Sequence, residues 1–195
     1  RKGRELATSF SLIVLIGIIG TFWIGDRKVD FLDEMEAANK ARKQGDLEGQ
    51  ITILTSILEE RKESLGEDHL AVARLSSRLA YVLAQTYSSM EDASKIQENH
   101  SAASKVLDNA IEIFKRQLGD DDWETGKAIG QKGYLIGEYR MSLNELPSQR
   151  SIFLMQEGLS IVRKELGKSD PQTMLMNSLL AGLSFHQGMY DQAEK

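Results

Sequence analysis

Three histidines, His69, His100 and His186, are the side chains best suited to hold a metal or move a proton in a chain that has no cysteine. They are scattered, and no second histidine or carboxylate recurs beside them at metal-ligand spacing. Without a thiol, disulfide frameworks, thiolate zinc sites and cysteine nucleophiles are all excluded. Asp120, Asp121 and Asp122 bring three carboxylates together, but the alternating oxygen ligands and closing Glu of a calcium loop are missing. Such a run suits the free amides at the start of a helix. Gly126, Gly130, Gly133 and Gly137 follow no strand and match no phosphate-binding loop; spaced at 4, 3 and 4, they line one side of a helix. No paired carboxylates, nucleophile with its base, or cofactor motif is present, so neither catalysis nor a bound cofactor is expected.

The remaining chemistry is contact. Arg74, Ser77, Tyr81 and Gln85 follow one another at 3, 4 and 4 and share a helical face, while Val72, Leu75, Leu79, Val82 and Leu83 form the apolar face of the same helix. Lys127, Gly130, Tyr134 and Glu138 recur at matching offsets further on, as do Ser178, Phe185 and His186. Arg42 and Lys43 fill the corresponding end of an earlier segment. Tyrosines flanked by Arg or Lys make good contact residues, because a rigid amphipathic ring loses little side-chain entropy on binding. Each glycine of the stripe costs a helix interior up to about 1 kcal/mol relative to alanine. A neighbouring helix crossing tightly over Trp123 to Leu143 would offset that cost.

The elements that must position these residues begin with a greasy segment. The chain has 195 residues, with 24 Lys+Arg against 29 Asp+Glu. Residues 1–25 carry a net of +2 and the rest a net of −7, an acidic excess that argues against nucleic acid as a partner. From Leu6 to Gly25, twenty consecutive residues lack a charge. At 1.5 Å per residue about twenty residues cross the roughly 30 Å hydrocarbon layer, so the segment is expected to span a bilayer as a single helix. A cleaved signal would be shorter in its apolar part, and a buried core helix would show a polar stripe. Gly17, Thr21 and Gly25 recur every four residues and leave one side of the span small enough for close helix packing. Basic residues Arg1, Lys2 and Arg4 before the span favour a cytoplasmic amino terminus, with the remainder on the opposite side.

Self-similarity organises the rest. Ile57 to His69, Ala110 to Asp122 and Gly158 to Asp170 align, each an amphipathic helical tail, then Leu-Gly, then an acidic or small polar cluster. Gly66, Gly119 and Gly167 suit a left-handed helix stop, and Asp68, Asp121 or Asp122, and Ser169 or Asp170 suit the cap of the next helix, with Pro171 in a first turn. Leu79-Ala80 and Leu180-Ala181 stand at equal distances beyond their glycines, and Gln187-Gly188 echoes Gln44-Gly45. On these residues the segment 29–195 resembles a tetratricopeptide repeat array of the long-repeat, kinesin light chain-like kind. The paired asparagines of that family are replaced here by Ser77-Arg78, Gly130-Gln131 and Ser178-Leu179.

The spacing predicts helices near 29–43, 47–65, 70–88, 91–118, 123–144, 148–166 and 171–187, and an eighth from Tyr190. Extra residues around 88–101 and 142–148 are expected to lengthen helices there. The fold class expected is all-α: a basic leader and transmembrane helix over 1–28, then an α-solenoid of helical hairpins over 29–195 that continues beyond 195. The resemblance implies that Arg42, Lys43, Arg74, Ser77, Tyr81, Gln85, Lys127, Tyr134, Glu138, Phe185 and His186 line its concave side, with Tyr81 and Tyr134 stacked one repeat apart. A membrane-anchored scaffold, accessory to the protein subunits of a larger membrane complex, is the expected function. The alternative is the sensory or recruiting region of a membrane receptor, such as a bacterial transmembrane kinase.

Overall fold

The structure is a computed structural model that describes residues 36–87, 90 and 92–188. All regular structure among these residues is helical. A helix occupies 36–43 (α1), and Ala38 and Ala41 on it are buried. The chain divides after Asp46. Beyond that point come α2 (Leu47–Leu65), α3 (Leu70–Thr86), α4 (Ala93–Gln117), α5 (Trp123–Ser142), α6 (Gln149–Leu166) and α7 (Pro171–His186). The expected span Leu6 to Gly25, with Gly17, Thr21 and Gly25, lies outside the described residues, as do 29–35 and the helix expected from Tyr190. Among the described residues no helix is long and apolar enough to cross a membrane.

Each helix has a local cause at its ends. Gly66, Gly119 and Gly167 take φ of 88°, 103° and 86°, a conformation that side chains oppose and that turns the chain back after a helix. Asp122 Oδ1 then accepts from Glu124 N at 2.8 Å, and Asp170 Oδ1 accepts from Gln172 N at 2.8 Å ahead of Pro171 in the first turn of α7. The first turn departs from expectation: the cap of α3 is His69, whose Nδ1 accepts from Ala71 N at 3.1 Å, and not Asp68. The Asp68 carboxylate meets Arg116 of α4 at 2.8 Å instead. Asp121 meets Lys164 of α6 at 3.3 Å in the equivalent position one unit on.

Within residues 47–188, consecutive helices pack on one another, and α3, α5 and α7 also touch in succession. Short turns make sequential helices antiparallel, so the arrangement is solenoid-like. Val72, Leu75, Leu79, Val82 and Leu83 are all buried, as their spacing requires. They share the interior with Leu54, Ile57 and Leu58 of α2 and with Leu107, Ile113 and Phe114 of α4. Further along, Ile152, Met155 and Leu183 form one cluster and Leu159, Val162 and Met176 another.

The two stretches of extra residues behave differently. The first extends α4, which starts at Ala93 and runs for 25 residues. The second does not lengthen a helix. Residues 143–148 form a loop with Asn144 at φ 60°. The turn at Asn144 closes α5, and Pro147 keeps Leu146 out of the helical region, so the chain re-enters a helix only at Gln149. Arg140 holds the loop by donating from Nε to Leu146 O at 2.7 Å and pairing with Glu145 at 3.1 Å.

Candidate functional site

The face shared by α3, α5 and α7 gathers most of the residues singled out by their spacing. At one end, the Arg74 guanidinium donates to both Glu124 carboxylate oxygens, at 2.7 and 2.6 Å. That two-pronged bond, with burial opposing it and the Glu124 charge adding to it, holds the guanidinium still more firmly protonated than usual. One turn further along, the Ser77 hydroxyl donates to Gln131 Oε1. Tyr81 and Tyr134 follow, with ring centroids 5.6 Å apart and planes inclined at 37°, within the range favoured for aromatic pairs.

The ladder continues toward α7. Burial pushes the Tyr134 phenol above its ordinary range, and the neighbouring Glu138 carboxylate adds to the effect. Burial likewise raises Glu138, against the hydrogen bond from Tyr134 and the nearby His186, both of which favour its charged form. His186 is exposed and meets Phe185 edge-on at 6.0 Å, and Phe185 is 56% exposed. Lys127 lies 5.8 Å from the Trp123 ring. Burial lowers its ammonium below the usual range, Glu124 opposes that, and Arg78 reinforces it.

The structure therefore brings Arg74, Ser77, Tyr81, Lys127, Tyr134, Glu138 and His186 onto one continuous face, but not as uniformly open contact residues. Ser77 is buried and spent on Gln131; Gly130 lies beneath Met176. Gln85 is half-buried, and Ser178, Phe185 and His186 are exposed. Arg42 and Lys43 are exposed at the end of α1. Chemically the face offers cations at the Arg74 end, a tyrosine pair in the middle, and Glu138 with His186 at the far end. Among the described residues no three His, Asp or Glu side chains come together to hold a metal.

Glu124 and Gln131 complete this ladder and are absent from the sequence-based set. The signal was available in the register: Arg74 stands 8 residues after Gly66 and Glu124 stands 5 after Gly119, one helical turn apart. Gly158 is the other omission. A Cβ at Gly126 would meet Ile161 Cβ at 2.6 Å, one at Gly133 would meet Ser151 O at 2.5 Å, and one at Gly137 would meet Leu183 Cδ2 at 2.5 Å. The tight crossing expected over this helix is thus made by α6 and α7, and Gly158 is what α6 contributes to it.

No family model matches the chain, and no curated protein matches it.

Proposed function

We propose that the chain is a membrane-tethered interaction scaffold of the tetratricopeptide-like kind, an accessory subunit that presents the α3–α5–α7 face to other subunits of a membrane complex. The observation that carries this reading is the side-chain ladder from Arg74–Glu124 through Tyr81–Tyr134 to Glu138. It ties α3 to α5 along the shared face and leaves aromatic and charged groups along it. A preorganised surface binds with less entropic cost than one that must be ordered on contact. The twenty uncharged residues from Leu6 to Gly25 supply the tether.

Purification of the full chain in mild detergent, with identification of co-purifying subunits, tests both parts. Tyr81→Ala with Lys127→Glu is expected to lose those subunits while the melting transition persists. Unchanged recovery would remove this face as the docking surface. Release of the wild-type chain from membranes by an alkaline wash would remove the tether.

A further inference from the structure

The long α4 carries a group that the contact face does not use. Its first two turns rest on local contacts and a narrow inward stripe: Asp92 Oδ1 accepts from Ser94 N and Lys95 N, Asn99 donates to Met90 Sδ at 3.6 Å, Ile96, His100 and Ala103 face inward, and Ala93, Ser94, Lys95, Gln97 and Glu98 are exposed. His100 stacks on Tyr139 of α5, with centroids 4.0 Å apart and planes inclined at 12°. Its other neighbour is Tyr87, the residue that ends α3, edge-on at 6.2 Å. Tyr87 is fully buried, and neither its hydroxyl nor His100 Nδ1 has a hydrogen-bond partner among the described residues. One imidazole thus joins the ends of three helices.

We propose that His100 is a pH-operated latch: as neutral imidazole it clasps the amino-terminal turns of α4 to α3 and α5, and as imidazolium it lets them go. A neutral ring can leave Nδ1 as a bare lone pair, but the cation must carry N–H on both nitrogens. One of those would then be buried without an acceptor, beside a phenol that already lacks one. The side chains touching the ring, Tyr87 and Tyr139, are phenols and not carboxylates, so no acidic partner faces it. On α4 itself, Ile96, Gln97, Ala103 and Ser104 occupy the neighbouring turns, and none is charged. The charged residues flanking Tyr139 are engaged elsewhere, Glu138 with Tyr134 and Arg140 with Glu145. The Tyr139 face attracts a cation and offsets only part of the cost.

Burial accordingly holds the imidazole below its ordinary range. The folded state resists the proton that the unfolded chain accepts, so the contribution is complete above the ordinary histidine value of about 6.5 and is lost as pH falls below it. Because the other polar contacts of these turns, to Asp92 and Met90, are local in sequence, the loss appears as local opening and not as global unfolding.

Hydrogen exchange on the full chain, corrected for intrinsic rates, tests this at about pH 7.5 and about pH 5.5. Amides of residues 94–103 are expected to lose protection several-fold at the lower pH while those of α6 do not, and His100→Phe is expected to abolish the difference. An equal loss in His100→Phe would overturn the latch. Direct titration of the His100 ring by NMR in the wild-type chain decides between the outcomes even if the variant fails to fold. A midpoint below the ordinary value supports the latch, and one at or above it overturns the latch.

Discussion

Gly158 and Gly130 meet backbone to backbone: a Cβ on Gly158 would stand 2.5 Å from Gly130 N and 2.8 Å from Gly130 Cα. Backbone atoms in two packed helices cannot rotate aside as a side-chain end can. Gly158→Ala is therefore expected to destabilise the chain by about 1–3 kcal/mol, the range of an overpacked core. Gly182 in α7 is the control, since a Cβ there meets nothing within 4 Å. Gly182→Ala should gain up to about 1 kcal/mol from helix propensity. Thermal melts of the two variants check this; equal behaviour would mean that α5 and α6 do not approach so closely.

Arg74 and Glu124 link α3 to α5 across 50 positions of sequence, with side chains 54% and 15% exposed. Solvent screening at the Arg74 end keeps the pair modest. A double-mutant cycle on Arg74→Ala and Glu124→Ala is expected to give a coupling of about 0.5–1 kcal/mol, declining as salt is raised. Arg74→Lys should forfeit most of it, because an ammonium cannot match both carboxylate oxygens. Additive single effects would show that the pair contributes nothing to joining the units.

The helices were largely legible in the chain because their punctuation is local. Leu-Gly stops, acidic caps and apolar stripes act within a few residues of one another, and α2 matches its expected bounds while the other complete helices differ by one or two residues at one end, or at both ends in α4. The extra residues around 142–148 add no turn to a helix: α5 ends at Ser142 and α6 begins at Gln149, about the break expected between 144 and 148. The contact face was legible only as a set of candidates. Whether Ser77 faces a partner or Gln131 depends on how far one unit is rotated against the next, and no spacing within a single helix encodes that rotation. The small stripe on α5 announced a close crossing, but its match on α6 is the single Gly158, which has no periodicity of its own.

Glu138 gives a pH dependence of definite sign. Its carboxyl is held above the ordinary range, chiefly by burial, so the fold favours the protonated form. The associated stability is full below the ordinary carboxylate range and is lost as pH rises through the folded value. At neutral pH the charged form is thus a burden that Glu138→Gln should relieve, with the amide oxygen still able to accept from Tyr134. A rise in melting temperature of roughly 1–2 °C at about pH 7, shrinking toward zero near pH 4, is expected. A loss at neutral pH would mean that the charge on Glu138 is stabilising, through His186 or otherwise.

The cap of α3 separates it from its equivalents. Asp122 and Asp170 begin α5 and α7 with a carboxylate, whereas α3 begins with the imidazole of His69 accepting from Ala71 N, and its first turn contains no acidic residue. A neutral acceptor satisfies one free amide but adds nothing against the positive end of the helix dipole. A carboxylate does both. His69→Asp is therefore expected to stabilise the chain by about 0.5–1 kcal/mol, and His69→Ala to cost about 1 kcal/mol. The neighbouring Asp68 already pairs with Arg116, so a second carboxylate beside it meets a local field that a cation has partly balanced. Denaturant melts at neutral pH distinguish the outcomes: a His69→Asp variant no more stable than the wild type would show that the imidazole already serves as well as the aspartates of the later units.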